Sequence, residues 1–538
     1  MACLRGAAGV VSYPMMANAL PLPAFTDESG CSSWLSSLPL TNIGFAQESL
    51  GDQLQRLAAT DIDPLQRVKI AERLRETVLY LHGELAKRFV DRPLPLNDAE
   101  SQAWQQALRL WTALWENYSA CLKPLLDRDS RMEGWGARAV QRGLFVGKEL
   151  VRLYGQVRRQ PTPEHWEEIH AWYRFAELLE VTSLAVRDKL LPHAEAISCY
   201  STYAHALLLA RADPCALTAR ELDLTDRWLQ SWARKFFPDK VFRSSEHVLL
   251  VVDLLQGAGL ATWEEAPDKS PPSLRYGSPD KLSVSVRQRQ KRLKAGTTPA
   301  ELGLGDDVTT AAAERLLTHL YERWCTLSVA QGAPATEQQV AVCGGGLYAV
   351  YFRLCGRTFS GESTRDRLSY RSIEDVATFD SLPEHDSRRD QAEKDWPWES
   401  WVGDLLGFGG SLERRVPGNR WQLNQLLVAR DATGRVSCGI VSWLGELGTT
   451  LRIGVRLWPG EAGALILRAV SGVMRDEPSV PAIALPGVGR EPSSLLLPPR
   501  YFQAGRRVET SGAGKRCFRL VKVLERGSDF ERVAYSVE

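Results

Sequence analysis

The chain carries almost no excess charge of either sign. Its 66 lysines and arginines nearly balance 65 aspartates and glutamates, for a formal net charge of +1 over 538 residues. A general nucleic-acid binder shows a basic excess, so nucleic acid is an unlikely partner for the chain as a whole. No apolar run approaches the roughly 18 residues of a membrane helix, and membrane insertion is not expected. The ten cysteines, spread from Cys3 to Cys517, include no C-x-x-C pair and no Cys/His cluster at zinc-ligand spacing. They read as reduced thiols, mostly small core residues, in a cytoplasmic protein.

Catalytic signals are also scarce. "SGAGKR" imitates the end of a P-loop, but Glu509 stands where the first glycine belongs and Arg516 where a serine or threonine belongs. His385-Asp386 resembles the HD pair of metal phosphohydrolases without other ligands at helical spacing. His165 and His170 stand five apart on a predicted helix, a poor spacing for chelation. Cys343 precedes "GGGLYAVYF", which is read as lacking the strand–turn–helix setting of a nucleophile elbow. The expectation is a non-enzyme without metal or cofactor.

The length suits about three or four domains, and 44% hydrophobic with 24% charged residues is ordinary for a globular chain. The leader up to "MMANAL" could be a poor signal peptide ending at Ala17-Asn18-Ala19. A translation start at Met15 or Met16 is the preferred reading. Residues 1–60, rich in Pro, Ser and Gly, predict an extended segment.

Residues 61–215 predict a helical bundle. Asn97 and Glu100 make a capping-box arrangement, and Thr162-Pro163 supplies a cap followed by proline in the first turn. Trp166, Ile169, Tyr173 and Ala176 share one helical face and predict core packing. Residues 216–380 read as a mixed α/β region. "EHVLLVVDLL" is its short buried strand, and Arg287, Arg289, Lys291, Arg292 and Lys294 form a solvated helix face. Residues 381–538 predict a small antiparallel β-barrel with a C-terminal β extension. In "LRIGVRLWPG" Leu451, Ile453, Val455 and Leu457 alternate with Arg452, Gly454, Arg456 and Trp458, the pattern of a half-buried strand. "WQLNQLLVAR", "DATG" and "RVSCGIVSW" read as strand, turn and strand, and "RVET", "SGAGK" and "RCFRLVKVLE" as a hairpin.

One stretch stands apart. "RDRLSYR" places Arg367 and Arg371 four residues apart, ahead of a polar linker. The same spacing recurs at Arg138/Arg142, Arg353/Arg357 and Arg452/Arg456, so spacing alone decides nothing. After the linker, Asp404, Leu406 and Gly409 stand at D-x-L-x-x-G, followed by "GIVSW" and "LRIGVRL". This order resembles PilZ domains, small barrels that bind cyclic di-GMP through R-x-x-x-R in an arm and D/N-x-S-x-x-G in the barrel. Further segments, among them "SVRQRQKRLKAGTTPAELGLGDDV", "GGGLYAVYFRLCGRTF" and "SLLLPPRYFQAGRRVE", are similar to FimW-type cyclic-di-GMP receptors. Those large proteobacterial proteins join a helical N-terminal region to a PilZ-like C-terminal region, and are linked to type IV pilus assembly and surface attachment.

The resemblance implies an α+β multidomain fold and a non-catalytic receptor for cyclic di-GMP. It implies a protein partner for the helical domain and recruitment to a cell pole. Its binding residues would be Arg367, Arg371, Asp404 and Gly409. The chemistry suits such a ligand. An arginine fork pairs with a phosphate or with guanine O6 and N7, a carboxylate accepts from guanine N–H groups, and glycine admits close backbone approach. The sequence departs from the family where the serine is Leu406, which removes one hydroxyl from the ligand face. That departure favours an alternative, a ligand-independent scaffold. A third reading is a nucleic-acid binder using Arg287 to Lys294. For Arg367 and Arg371 the alternative is surface salt bridges with Glu374 or Asp380.

Overall fold

The computed structural model describes residues 21–191, 197–241, 245, 247–263, 271–327, 338–359, 383–406, 408–470, 478–489, 491–511 and 515–538. The chain divides into two compact units. The first comprises Met1–Ala86, Trp104–Gly147 and Trp172–Cys199, and the second Lys87–Ala103, Lys148–Ala171 and Tyr200–Glu538. The candidate starts at Met15 and Met16 lie outside the described residues.

The N-terminal region is helical: α1 Glu28–Ser37, α2 Ile43–Ala59, α3 Pro64–Phe89, α4 Asp98–Ser119, α5 Leu122–Leu126, α6 Gly136–Gln156, α7 Pro163–Leu178, α8 Cys199–Arg211 and α9 Ala219–Trp232. The first two correct the expectation of an extended segment over 1–60. Asp27 caps α1 by accepting from Gly30 N at 2.8 Å, and Asn42 caps α2 by accepting from Phe45 N at 3.2 Å. Leu50, Leu54 and Leu57 then bury one face of α2. Short polar caps outweighed the local proline and serine content.

The other helix starts form as their sequences dictate. Asn97 and Glu100 bond reciprocally at 2.9 Å, closing the capping box of α4. Thr162 Oγ1 accepts from His165 N at 3.4 Å at the start of α7. Trp166, Ile169, Tyr173 and Ala176 are all buried. In the first unit the Arg75 fork pairs with Asp188 at 2.6 and 2.7 Å, and Arg142 Nε donates to Glu72 at 2.8 Å. The Arg138/Arg142 copy of the four-residue spacing therefore includes a structural member, since Arg142 is buried and paired.

The middle of the second unit holds a three-stranded antiparallel sheet, β1 Leu249–Asp253, β2 Ala261–Trp263 and β3 Leu274–Gly277, in the order β2-β1-β3. Helices α10 Asp280–Lys294 and α11 Thr310–Cys325 follow. On α10, Arg287, Lys291, Arg292 and Lys294 are exposed, as expected of a solvated face. Arg289 instead stacks on Trp232 at 4.8 Å and donates to Leu302 O.

Two closed six-stranded antiparallel barrels occupy the C-terminal part. The first contains β4 Gln339–Cys343, β5 Glu399–Leu406, β6 Gly409–Arg414, β7 Leu426–Arg430, β8 Val436–Leu447 and β9 Thr450–Leu457, ordered β4-β5-β6-β9-β8-β7. Between β4 and β5 lie helices α12 Gly346–Cys355 and α13 Pro383–Asp395. The second contains β10 Gly463–Ala469, β11 Val480–Leu485, β12 Ser494–Leu497, β13 Arg507–Thr510, β14 Cys517–Arg526 and β15 Glu531–Val537, ordered β10-β11-β12-β15-β14-β13. The expected C-terminal extension is thus a barrel in its own right, and the first barrel takes its opening strand from Gln339–Cys343, upstream of residue 381.

Leu451, Ile453, Val455 and Leu457 face the first barrel's core, as their alternation predicts. Trp401 and Trp421 meet edge to face at 5.7 Å there, and both indoles donate to Glu399 Oε2 at 3.2 Å. Trp458 corrects the alternation. It lies just past β9, is buried, and packs on Phe530 of the second barrel at 5.6 Å in a core shared by both barrels and α12.

A second correction concerns Cys343. The chain does run strand–turn–helix there, from β4 through Gly344 and Gly345 into α12. Gly345 has a φ of +116°, and a Cβ on Gly344 would come within 2.8 Å of Trp421. The thiol is nonetheless no exposed nucleophile. Cys343 is fully buried and donates to Trp396 O at 3.4 Å, and burial raises its proton affinity. His165 bonds Thr162 Oγ1 at 2.8 Å, whereas His170 bonds Tyr203 at 2.8 Å and Ala258 O at 2.9 Å.

Candidate functional site

Arg367 and Arg371, together with Glu374 and Asp380, lie outside the described residues. Asp404 and Gly409 lie within them, on the β5–β6 hairpin of the first barrel. Pairing sets Leu406 opposite Gly409, Leu405 opposite Gly410 and Asp404 opposite Ser411. Side chains alternate across a strand. Trp401 on β5 and Leu412 on β6 point into the core, so Asp404, Gly409 and Ser411 belong to the barrel's outer face.

Strand β9 extends that face. Gly409 pairs with Arg456, Ser411 with Gly454 and Glu413 with Arg452. β8 continues one row further, because Gly454 also pairs with Trp443. One outer row therefore reads Asp404, Ser411, Gly454, Trp443, and the adjacent row holds Gly409 and Arg456. Gly409 and Gly454 leave this surface low. A Cβ on Gly409 would lie 2.4 Å from Val455 O, and one on Gly410 would lie 1.6 Å from Asp404 O. Close passage of neighbouring strands is itself sufficient reason for both glycines.

The face mixes charges. Arg456 pairs with Glu525 of the second barrel, and Arg452 Nε lies 3.4 Å from Glu413. Sequence reasoning placed Arg452 and Arg456 on an outer surface and set them aside. The structure brings Arg456 into register with Gly409. Strand alternation alone could not reveal this, because register across β6 and β9 is non-local. Among the described residues no group of three or more His, Cys, Asp and Glu is arranged to hold a metal, and no helix is long and apolar enough to cross a membrane.

Residues 29–237 match the family described as "Cyclic-di-GMP receptor FimW, N-terminal domain". Over 561 aligned residues the chain is 21% identical to the protein named "Cyclic-di-GMP receptor FimW" of Pseudomonas aeruginosa strain PAO1, covering 93% of this chain and 90% of that protein. No solved structure matches. The chain is thus similar to the FimW N-terminal domain over residues 29–237 and to one FimW protein along nearly its whole length.

Proposed function

We propose that this chain is a non-catalytic, cytoplasmic receptor for cyclic di-GMP that couples messenger level to surface attachment or type IV pilus assembly. The observation that carries the reading is near full-length similarity to a protein named as a cyclic-di-GMP receptor. In this reading the first barrel is PilZ-like and its outer face receives the ligand. Arg367 and Arg371 close over it, Asp404 accepts from a guanine edge, and Gly409 keeps the surface low. A cytoplasmic partner, engaged through the helical region, reads out the bound state at a cell pole.

Two features support the placement. Asp404 and Gly409 occupy one hairpin and one face, and Ser411 sets a hydroxyl residue directly across from Asp404. Isothermal titration of the full chain with cyclic di-GMP tests the reading. Saturable binding that cyclic di-AMP does not reproduce is expected. A flat titration at high micromolar messenger would favour the alternative, a ligand-independent scaffold, for which the leucine at 406 is the specific observation.

A further inference from the structure

The second unit contains a half-open cavity of about 430 Å3 whose walls include Arg158, Trp166, Arg211, Asp213, Trp443 and Arg452. That size suits a small organic ligand. Its charge is unbalanced. Both carboxylates on the wall are already engaged. Glu446 Oε2 accepts from the Arg159 fork at 2.7 and 2.9 Å. Asp213 lies 2.8 Å from Arg323 and accepts from Trp443 Nε1 at 3.0 Å.

Arg158 and Arg211 have no such partner. Arg158 is buried, and its Nη1 donates to the carbonyls of Leu217 at 2.6 Å and Pro214 at 3.3 Å. Arg211 Nε donates to Arg323 O at 3.0 Å, while its Nη2 is buried with no hydrogen-bond partner. Among the described residues neither guanidinium has a carboxylate within ion-pair distance. Burial lowers the proton affinity of both, and for Arg211 the neighbouring Arg323 lowers it further. Guanidinium stays protonated all the same, so a buried Arg158 and a half-buried Arg211 stand on the wall without a direct ion pair, with Asp213 acting on Arg211 and Asp91 and Glu221 on Arg158 only at longer range. Buried charges are ordinarily paired or bound to a ligand.

We propose that this cavity binds a phosphate-bearing small anion, held by Arg211 and Arg158 beside the Trp443 ring. Two guanidiniums match the charge of a phosphate better than that of a single carboxylate, and the guanidinium fork fits phosphate oxygens. Trp443 stands in the same outer row as Asp404, three strand spacings or about 14 Å away. The cavity is thus a second site on the barrel, and it does not depend on Arg367 or Arg371.

The test titrates the full chain with inorganic phosphate, pyrophosphate, GMP and neutral guanosine. Pyrophosphate or GMP should bind saturably, and guanosine should not. Tighter binding of GMP than of the inorganic anions would assign the site to nucleotides, and the reverse order to simple phosphates. Arg211→Gln should weaken binding at least about tenfold. Arg138→Ala, which is not among the cavity's wall residues, should bind normally. Ala261→Asp, an exposed position on the wall, supplies an internal carboxylate and should abolish binding while raising the melting temperature. Absence of phosphate or nucleotide binding at millimolar concentration would overturn the proposal. So would binding that survives unchanged in both Arg211→Gln and Ala261→Asp, or guanosine binding as well as GMP.

Discussion

Asp529 should make the junction of the two barrels sensitive to pH. It sits in the turn between β14 and β15, and its Oδ1 accepts from Leu426 N of the first barrel at 3.0 Å. Ser528 N donates to Asn424 O at 3.0 Å beside it. Among the described residues no ion pair holds Asp529, and burial pushes its carboxyl up to about 6. The folded protein therefore takes up this proton more readily than the unfolded chain, whose Asp titrates near about 3.9. Protonation favours the folded state. Stability from this group is full below about pH 4, falls between about 4 and 6, and stays low above. A rise of that size corresponds to about 3 kcal/mol at most, and partial solvent screening reduces this to about 1–2 kcal/mol. Asp529→Asn keeps an acceptor for Leu426 N and removes the charge. Thermal unfolding at pH 7.5 should show the variant's barrel transition about 2–6 °C higher than wild type, with the difference cut to about a third at pH 4.5. A variant no more stable at pH 7.5, or a difference equal at both pH values, would refute the reasoning.

Three further outcomes follow from the same structure. Gly410→Ala should disrupt the β5–β6 pairing, since its Cβ would fall 1.6 Å from Asp404 O. A loss of several kcal/mol, read by urea unfolding, is expected, and a wild-type midpoint would contradict the register. Trp421→Ala should cost about 3–5 kcal/mol by emptying the barrel core and leaving Glu399 with one indole donor fewer, again read in urea. Leu406→Ser, which restores the hydroxyl of the PilZ pattern, should tighten cyclic di-GMP binding about two- to tenfold; an unchanged affinity would mean that residue 406 does not face the ligand.

What the sequence made legible was local. The capping box at Asn97 and Glu100 and the alternation from Leu451 to Leu457 depend on neighbours a few residues apart, and both form as read. Asp27 and Asn42 were equally local signals, hidden within a stretch weighted by proline and serine. The closure of the second barrel was not legible, because β12 pairs with β15 and β10 with β13 across long intervals. Trp458 looked outward by strand parity, but parity ends with the strand, and Phe530 claims the ring. The candidate site was half legible. D-x-L-x-x-G gave Asp404 and Gly409, while the placement of Arg456 opposite Gly409, and of Trp443 further along the row of Asp404, required the register of four strands.

The central claim is that this chain binds cyclic di-GMP through an arginine pair closing on the first barrel. The most direct measurement is isothermal titration of cyclic di-GMP into wild type, Arg367→Ala, Arg371→Ala, Arg371→Lys and Arg138→Ala, each checked for an unchanged melting temperature. Each arm arginine should contribute about 1.5–3 kcal/mol through charge-assisted bonds. Both arm alanine variants should therefore bind at least about tenfold more weakly, Arg371→Lys should fail to rescue because an ammonium lacks the fork, and Arg138→Ala should bind as wild type. Equal binding by all five proteins would contradict the assignment of the arm, and no binding by any would contradict the receptor itself.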